Sequence, residues 1–132
     1  MSTTEVFNLE MDARDHECDV QGVVNNAHYQ HYFEHARHRF LLQNGIDFNA
    51  LAQQGINLMV AKIEIEYKKP LKAHDEFIVQ VKPSRISKLK VCFIQKLIDK
   101  KTQNLMALAK TTVVTVNNEH KPLRKSPLNK FI

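Results

Sequence analysis

The sequence predicts an α+β domain in which one long helix packs on an antiparallel sheet. Three observations predict it. Over residues 26–44 the aromatic and apolar residues recur at helical spacing. After Gly55 the apolar period changes from helical to two. The later alternating runs are joined by short polar turns, which calls for antiparallel neighbours.

The elements follow in chain order. Residues 5–12 alternate in part and make a first strand, and the polar, glycine-containing residues 13–24 make a loop. In the helix that follows, Tyr29, Tyr32, Phe33, Ala36 and Phe40 fall within a sector of roughly 100°, a stripe made for burial, and Gly45 closes the helix. Residues 47–55 form a short second helix between an Asp47 cap and Gly55. In "VAKIEIEYKK" the residues Ala61, Ile63, Ile65 and Tyr67 alternate with charged ones, the pattern of a half-buried strand that Pro70 ends. "EFIVQVKP", "KLKVCFIQKLID" and "LMALAKTTVVTV" are three further strands. The segment from about 118 to 132 lacks periodicity and reads as a surface tail, so that residues 1–132 make one domain. One sheet with one covering helix leaves edges and a face to protect, and a homodimer or homotetramer is the expected remedy.

Composition narrows the function. An apolar content of 43% fills one core. No stretch approaches the length of a membrane span. The first residues lack a basic start followed by an apolar run, and Cys18 and Cys92 form no spaced pattern, so a reduced, cytoplasmic protein is expected. The net charge of +5 is concentrated in the second half, which suits either an anionic ligand or a solvated basic face. Nucleic acid is not the expected partner: the basic residues are dispersed, there is no Trp, and no aromatic-interleaved RNA motif occurs.

Two features of residues 17–41 invite chemistry. His28, His31, His35 and His38 lie on one arc of roughly 80°, centred about 135° from the apolar stripe. A metal there needs a third ligand, and neither a His-Glu-x-x-His pattern nor a Cys pair is present, so no metal or cofactor is expected. The stripe is a solvated face, or it packs on another subunit and titrates near neutrality. The second feature is Asp19, Gly22 and the Asn25-Asn26 step ahead of the long helix. Unpaired N–H groups and the helix dipole favour an anion at that end, including one formed only in a transition state. Asp19 would supply a carboxylate to attack a carbonyl or activate water, and Gly22 lets backbone approach a ligand. The alternative is equally open on these residues alone: a capped helix, a turn glycine and a solvated acid.

The stretch "RDHECDVQGVVNNAHYQHYFEHAR" resembles the signature segment of the hotdog-fold acyl-CoA thioesterases of the 4-hydroxybenzoyl-CoA thioesterase-like family. The matching positions are Glu17, Asp19, Gly22-Val23-Val24, Asn25-Asn26, Tyr29 and Glu34-His35-Ala36-Arg37, joined downstream by Tyr67, Pro70, Asp75 and Glu76. The resemblance covers nearly the whole chain. It implies a hotdog fold, a long central helix wrapped by an antiparallel sheet, and hydrolysis of an acyl thioester. Asp19 takes the catalytic carboxylate position, and the Asn26 N–H, with Gly22 nearby, polarises the thioester carbonyl. One branch of the family carries His where this chain has Asn26 and an aromatic where it has Asp15; a His-assisted step is therefore not expected, whereas a backbone donor survives the change. The Asn-Asn form also occurs in the acyl carrier protein branch, so acyl-CoA and acyl carrier protein are both expected substrates. The acyl group is expected against Val24, Tyr29, Met59 and Val60, the last two from the same or another subunit, and phosphates against Arg85, Lys88 and Lys90. A non-hydrolytic acyl-thioester binding protein is the competing reading. Hydratase chemistry would want a paired His and acid, and neither His74 nor His120 is so placed.

Overall fold

The computed structural model describes residues 6–131. Strand β1 (Phe7–Asp12) leads through a single 3-10 turn at Asp15–Glu17 to helix α1 (Asn26–Gln43) and the short helix α2 (Phe48–Gln53). Four strands follow: β2 (Asn57–Tyr67), β3 (Glu76–Arg85), β4 (Lys90–Asp99) and β5 (Leu105–Val116). Residue 5, the expected start of the first strand, lies outside the described residues. The five strands form one antiparallel sheet in the order β1-β3-β4-β5-β2, so β1 and β2 are its edges.

Helix α1 contains no β-branched residue, and both its ends are stopped by local chemistry. The Asn25 side chain accepts the Ala27 N–H at 2.9 Å. At the other end Gly45 takes φ +76°, with Gly45 N–H donating to Leu42 and Ile46 N–H to Leu41. This is the paired C-terminal closure for which glycine is suited, and it brings buried Ile46 onto buried Leu41. Asp47 caps α2 as expected, accepting from Asn49 and Ala50.

The predicted stripe Tyr29, Tyr32, Phe33, Ala36 and Phe40 is buried on the inner face of the sheet, against Phe77, Val79, Val81, Phe93 and Leu97. Arg37 joins it, which the apolar pattern did not announce. Its guanidinium donates to Gln95 Oε1 at 3.2 Å, and Gln95 Nε2 donates to the Phe33 carbonyl at 2.7 Å. The polar pair thus fills core space with each side chain hydrogen-bonded to a buried partner.

Two expectations need correction. The segment after residue 118 is not a surface tail. Leu128 and Phe131 are buried, and the Phe131 ring lies 5.2 Å from Phe40 and 6.4 Å from Phe93. Apolar residues at 128 and 131, one 3-10 turn apart, form a plug too short to show a period. Strand β2 is less buried than its alternation suggested: Ile63 and Ile65 are half-buried, but Ala61 and Tyr67 are exposed. It is an edge strand, it carries a register shift at Val60/Lys62, and α1 lies over β1, β3 and β4 instead.

Candidate functional site

Between the 3-10 turn and α1 the chain makes a tight hairpin. Cys18 and Val24 bridge its stem, the Asp19 N–H donates to Val23 at 2.9 Å, and the Gly22 N–H donates to Asp19 at 3.0 Å. This is a three-residue loop, and Gly22 at φ +80° supplies its left-handed position. Asp19 Oδ1 accepts the Gln21 N–H at 2.9 Å, which fixes the carboxyl at the mouth of the loop. Asp19 and Gly22 are exposed, and Val20 at the tip is fully so, at 104%.

The hairpin is tied down on both sides. After it, Val24 N–H donates to Leu71, and Leu71 N–H donates to the Tyr29 hydroxyl at 2.9 Å. Before it, Glu17 Oε1 accepts the Tyr32 hydroxyl at 2.6 Å and the Arg14 N–H at 2.8 Å. Burial alone would raise the Glu17 carboxyl. The Tyr32 and Arg14 donors, with His16 and His28 nearby, outweigh it and hold the group below the ordinary glutamate range. The same burial and the facing carboxylate push the Tyr32 phenol far up.

The chain enters α1 directly from the hairpin. Of the first N–H groups, Ala27 is taken by the Asn25 side chain and His28 by the Asn25 carbonyl. The Asn26 N–H has no acceptor among the described residues. An exposed carboxylate thus stands a few residues ahead of a helix end that carries this donor and a partial positive charge. Such a pair can address one polarised carbonyl, the carboxylate at carbon or through water and the N–H at oxygen. Cys18 does not offer a thiolate: desolvation and then the carboxylates of Asp15, Asp19 and Glu17 push its thiol up.

The remaining expected residues divide. Val24 and Tyr29 adjoin the hairpin but belong to the core, Tyr29 at 2% exposure with its hydroxyl occupied by Leu71. Met59, Val60, Arg85, Lys88 and Lys90 are not near Asp19 in this chain. Tyr67, whose hydroxyl donates to the Asn26 carbonyl at 3.4 Å, marks the end of β2 beside the site. Val60 lies seven residues away along that strand, roughly 23 Å. The cross-strand register Val60–Val113–Val91–Arg85 sets Arg85 at that same far end. Arg85 and Lys88 share a cavity of about 390 Å³ with Leu89, Arg124 and Asn129. Lys90 departs from them and lines the opposite, outer face with Lys62, Lys110 and Thr112.

Two residues were missed. Tyr67, whose ring lies 5.2 Å from Tyr29, was readable as an inward strand position but not as a neighbour of Asn26. Arg124 sits in the segment taken for tail. The histidine stripe lies where its arc predicted. His31 and His35 are exposed along a groove shared with Glu10, Asp12 and Glu17, and His38 packs on Phe48 with rings 4.4 Å apart. No group of three or more His, Cys, Asp or Glu side chains is gathered to hold a metal ion among the described residues. No helix of the described residues is long and apolar enough to cross a membrane.

The sequence profile of the thioesterase-like superfamily matches residues 13–132. The chain is 32% identical over 131 residues to the chloroplastic acyl-acyl carrier protein thioesterase ATL3 of Arabidopsis thaliana, covering 98% of this chain and 69% of that one. It is 31% identical over 98 residues to the acyl-CoA thioesterase YbgC of Haemophilus influenzae, covering 74% and 69%. The chain therefore spans about two thirds of the length of these relatives. A 1,4-dihydroxy-2-naphthoyl-CoA thioesterase of Synechocystis superposes with a TM-score of 0.85 over 90% of this chain and 88% of the other at 19% identity, a shared fold.

Proposed function

Because the chain belongs to the thioesterase-like superfamily, has the hotdog fold and is a thioester hydrolase, we propose that Asp19 is its reacting carboxylate and that the N-terminus of α1 holds the thioester oxygen. The observation that carries this reading is the exposed Asp19 carboxyl on a pinned hairpin, followed by a helix whose first N–H has no acceptor among the described residues. The Asn26 N–H polarises the carbonyl as negative charge develops on oxygen. In one route an Asp19 oxygen bonds to the carbonyl carbon, the carbon–sulfur bond breaks, the thiolate takes a proton, and water cleaves the resulting anhydride. In the other, Asp19 accepts a proton from the water that attacks, and that proton passes to the departing thiolate. Both end in a free acid and a thiol.

The acyl group is carried by coenzyme A or an acyl carrier protein. The names of ATL3 and YbgC support one each. The cavity holding Arg85, Lys88 and Arg124 has no carboxylate in its lining among the described residues and suits phosphates. Two copies explain how it serves Asp19. Strand β2 is a free edge with Met59, Val60 and Tyr67 exposed at 38%, 48% and 45%. A two-fold axis near its middle pairs it antiparallel with itself, so Tyr67 meets the Asn57 end of the other copy. The partner subunit's Met59 and the partner subunit's Val60 then flank the site. The partner subunit's Arg85 lies three strands farther in, roughly 14 Å. The two free cysteines suit a reducing compartment such as the cytoplasm.

The test is thiol release from a panel of short, long and aromatic acyl-CoAs and from acyl carrier protein thioesters. Asp19→Asn is expected to lower turnover by roughly 10²–10⁴-fold with an unchanged circular dichroism spectrum. Near-normal hydrolysis of a good substrate by that variant overturns the assignment.

A further inference from the structure

We propose that Glu17 is a positioning residue for hydrolysis, and that its hydrogen bond with Tyr32 clamps the Asp19 hairpin to the second turn of α1. This rests on the reading of Asp19 as the reacting carboxylate.

The tip of the hairpin supplies little of its own anchorage, and the bridge between Val23 and Lys72 holds only its outgoing strand. Residues 19–22 are all exposed, and the hydrogen bond of the Asp19 side chain stays inside the loop, to Gln21. Its placement is therefore set where the chain goes in and where it comes out. Glu17 acts at both points. Its carboxylate holds the ingoing strand by accepting the Tyr32 hydroxyl, fifteen residues away, and the Arg14 N–H. Its backbone carbonyl accepts the N–H of Asn25, the cap of α1, at 2.9 Å. One residue thus ties the ingoing strand of the hairpin, which carries Asp19, to the end of the helix that carries the Asn26 N–H. These are the two groups that must meet one carbonyl.

Tyr32 is suited to be the fixed end of the clamp. It is buried, and its ring packs 4.9 Å from Phe77 and 6.2 Å from Tyr29. An O–H to carboxylate bond of 2.6 Å is of the short, charge-assisted kind. Misplacement of a reacting group by about 1 Å lowers rate by up to about 10²-fold without abolishing binding. The groups that bind acyl chain and phosphates in the proposed reading belong to the partner copy and not to the hairpin, so loss of the clamp should act on turnover and spare affinity.

The experiment compares Glu17→Ala, Glu17→Gln, Tyr32→Phe and the double variant Glu17→Ala/Tyr32→Phe in the full-length protein. Glu17→Ala and Tyr32→Phe are each expected to lower kcat about 10–100-fold with KM within about twofold. The double variant should be no slower than Glu17→Ala, because both changes open the same bond. Glu17→Gln, which still accepts from Tyr32 and Arg14, should recover most of the rate. Amide hydrogen exchange at residues 19–24 should rise in Tyr32→Phe while the middle of α1 stays protected; Tyr32→Phe keeps the packed ring and guards against simple unfolding. Unchanged kcat in folded Glu17→Ala, multiplying losses in the double variant, or unchanged exchange at the hairpin overturns the proposal. The exchange arm does not depend on Asp19: near-normal Asp19→Asn kinetics with raised hairpin exchange in Tyr32→Phe faults the Asp19 assignment, whereas impaired Asp19→Asn with unchanged kcat in Glu17→Ala faults the clamp.

Discussion

At the scale of single residues, the histidines on α1 have separate environments despite their shared arc. His31 and His35 face an open groove, whereas His38 is tucked against Phe48 of α2. Burial, and then the neighbouring Arg37, lowers its affinity for a proton; Glu34 opposes this and His35 adds to it. The folded state therefore prefers neutral His38. The stability this provides is present above the unfolded value of about 6.5 and is lost as pH falls through the lower, folded value. The thermal midpoint is expected to fall between pH 7.5 and 5, and to fall less in His38→Met. An equal decline in the two proteins would count against this account.

At the scale of elements, the helices are specified locally, whereas the burial of the closing segment is not. Asn25, Asp47 and Gly45 are readable as caps because capping is a matter of a few neighbouring backbone groups. The 3-10 turn Pro127–Phe131 has a local cap too, the Ser126 hydroxyl accepting the Leu128 N–H at 3.1 Å ahead of Pro127, but nothing local tells where it packs: Phe131 seals the far end of α1 against Phe40 and Phe93, and the Lys130 ammonium reaches the Asn44 carbonyl. Phe131→Ala leaves a cavity lined by those rings and should destabilise the fold by about 3–5 kcal/mol. Urea unfolding measures it; a loss below about 1 kcal/mol would mean that the segment only rests on the surface.

At the scale of the whole molecule, the proposed site residues come together only in the proposed second copy. One end of β2 adjoins Asn26 through Tyr67, and the other carries Met59 and Val60. Val60→Glu sets a charge on the exposed edge without disturbing the core. In the proposed two-fold arrangement it should shift the protein toward monomer in sedimentation experiments and lower hydrolysis together with assembly. A variant that remains a fully active oligomer would exclude pairing through β2.

The sequence by itself determined the order of strands and α-helices, the buried stripe of α1, both helix caps and the loop ahead of α1 that carries Asp19, which the structure closes into a hairpin. These depend on residues within one or two turns of each other, where period and turn chemistry act directly. Only the tertiary structure decided what packs on what. It buried Arg37 with Gln95, because a long side chain on the stripe's flank finds a polar partner two strands away that no local pattern announces. It turned an apparent tail into core, set Tyr67 beside Asn26, and separated Lys90 from Arg85, since alternate strand residues point to opposite faces and the hairpin bends between them. The Glu17–Tyr32 bond belongs with these: both residues are plain in the sequence, but the fifteen residues between them must fold before the carboxylate and the phenol meet.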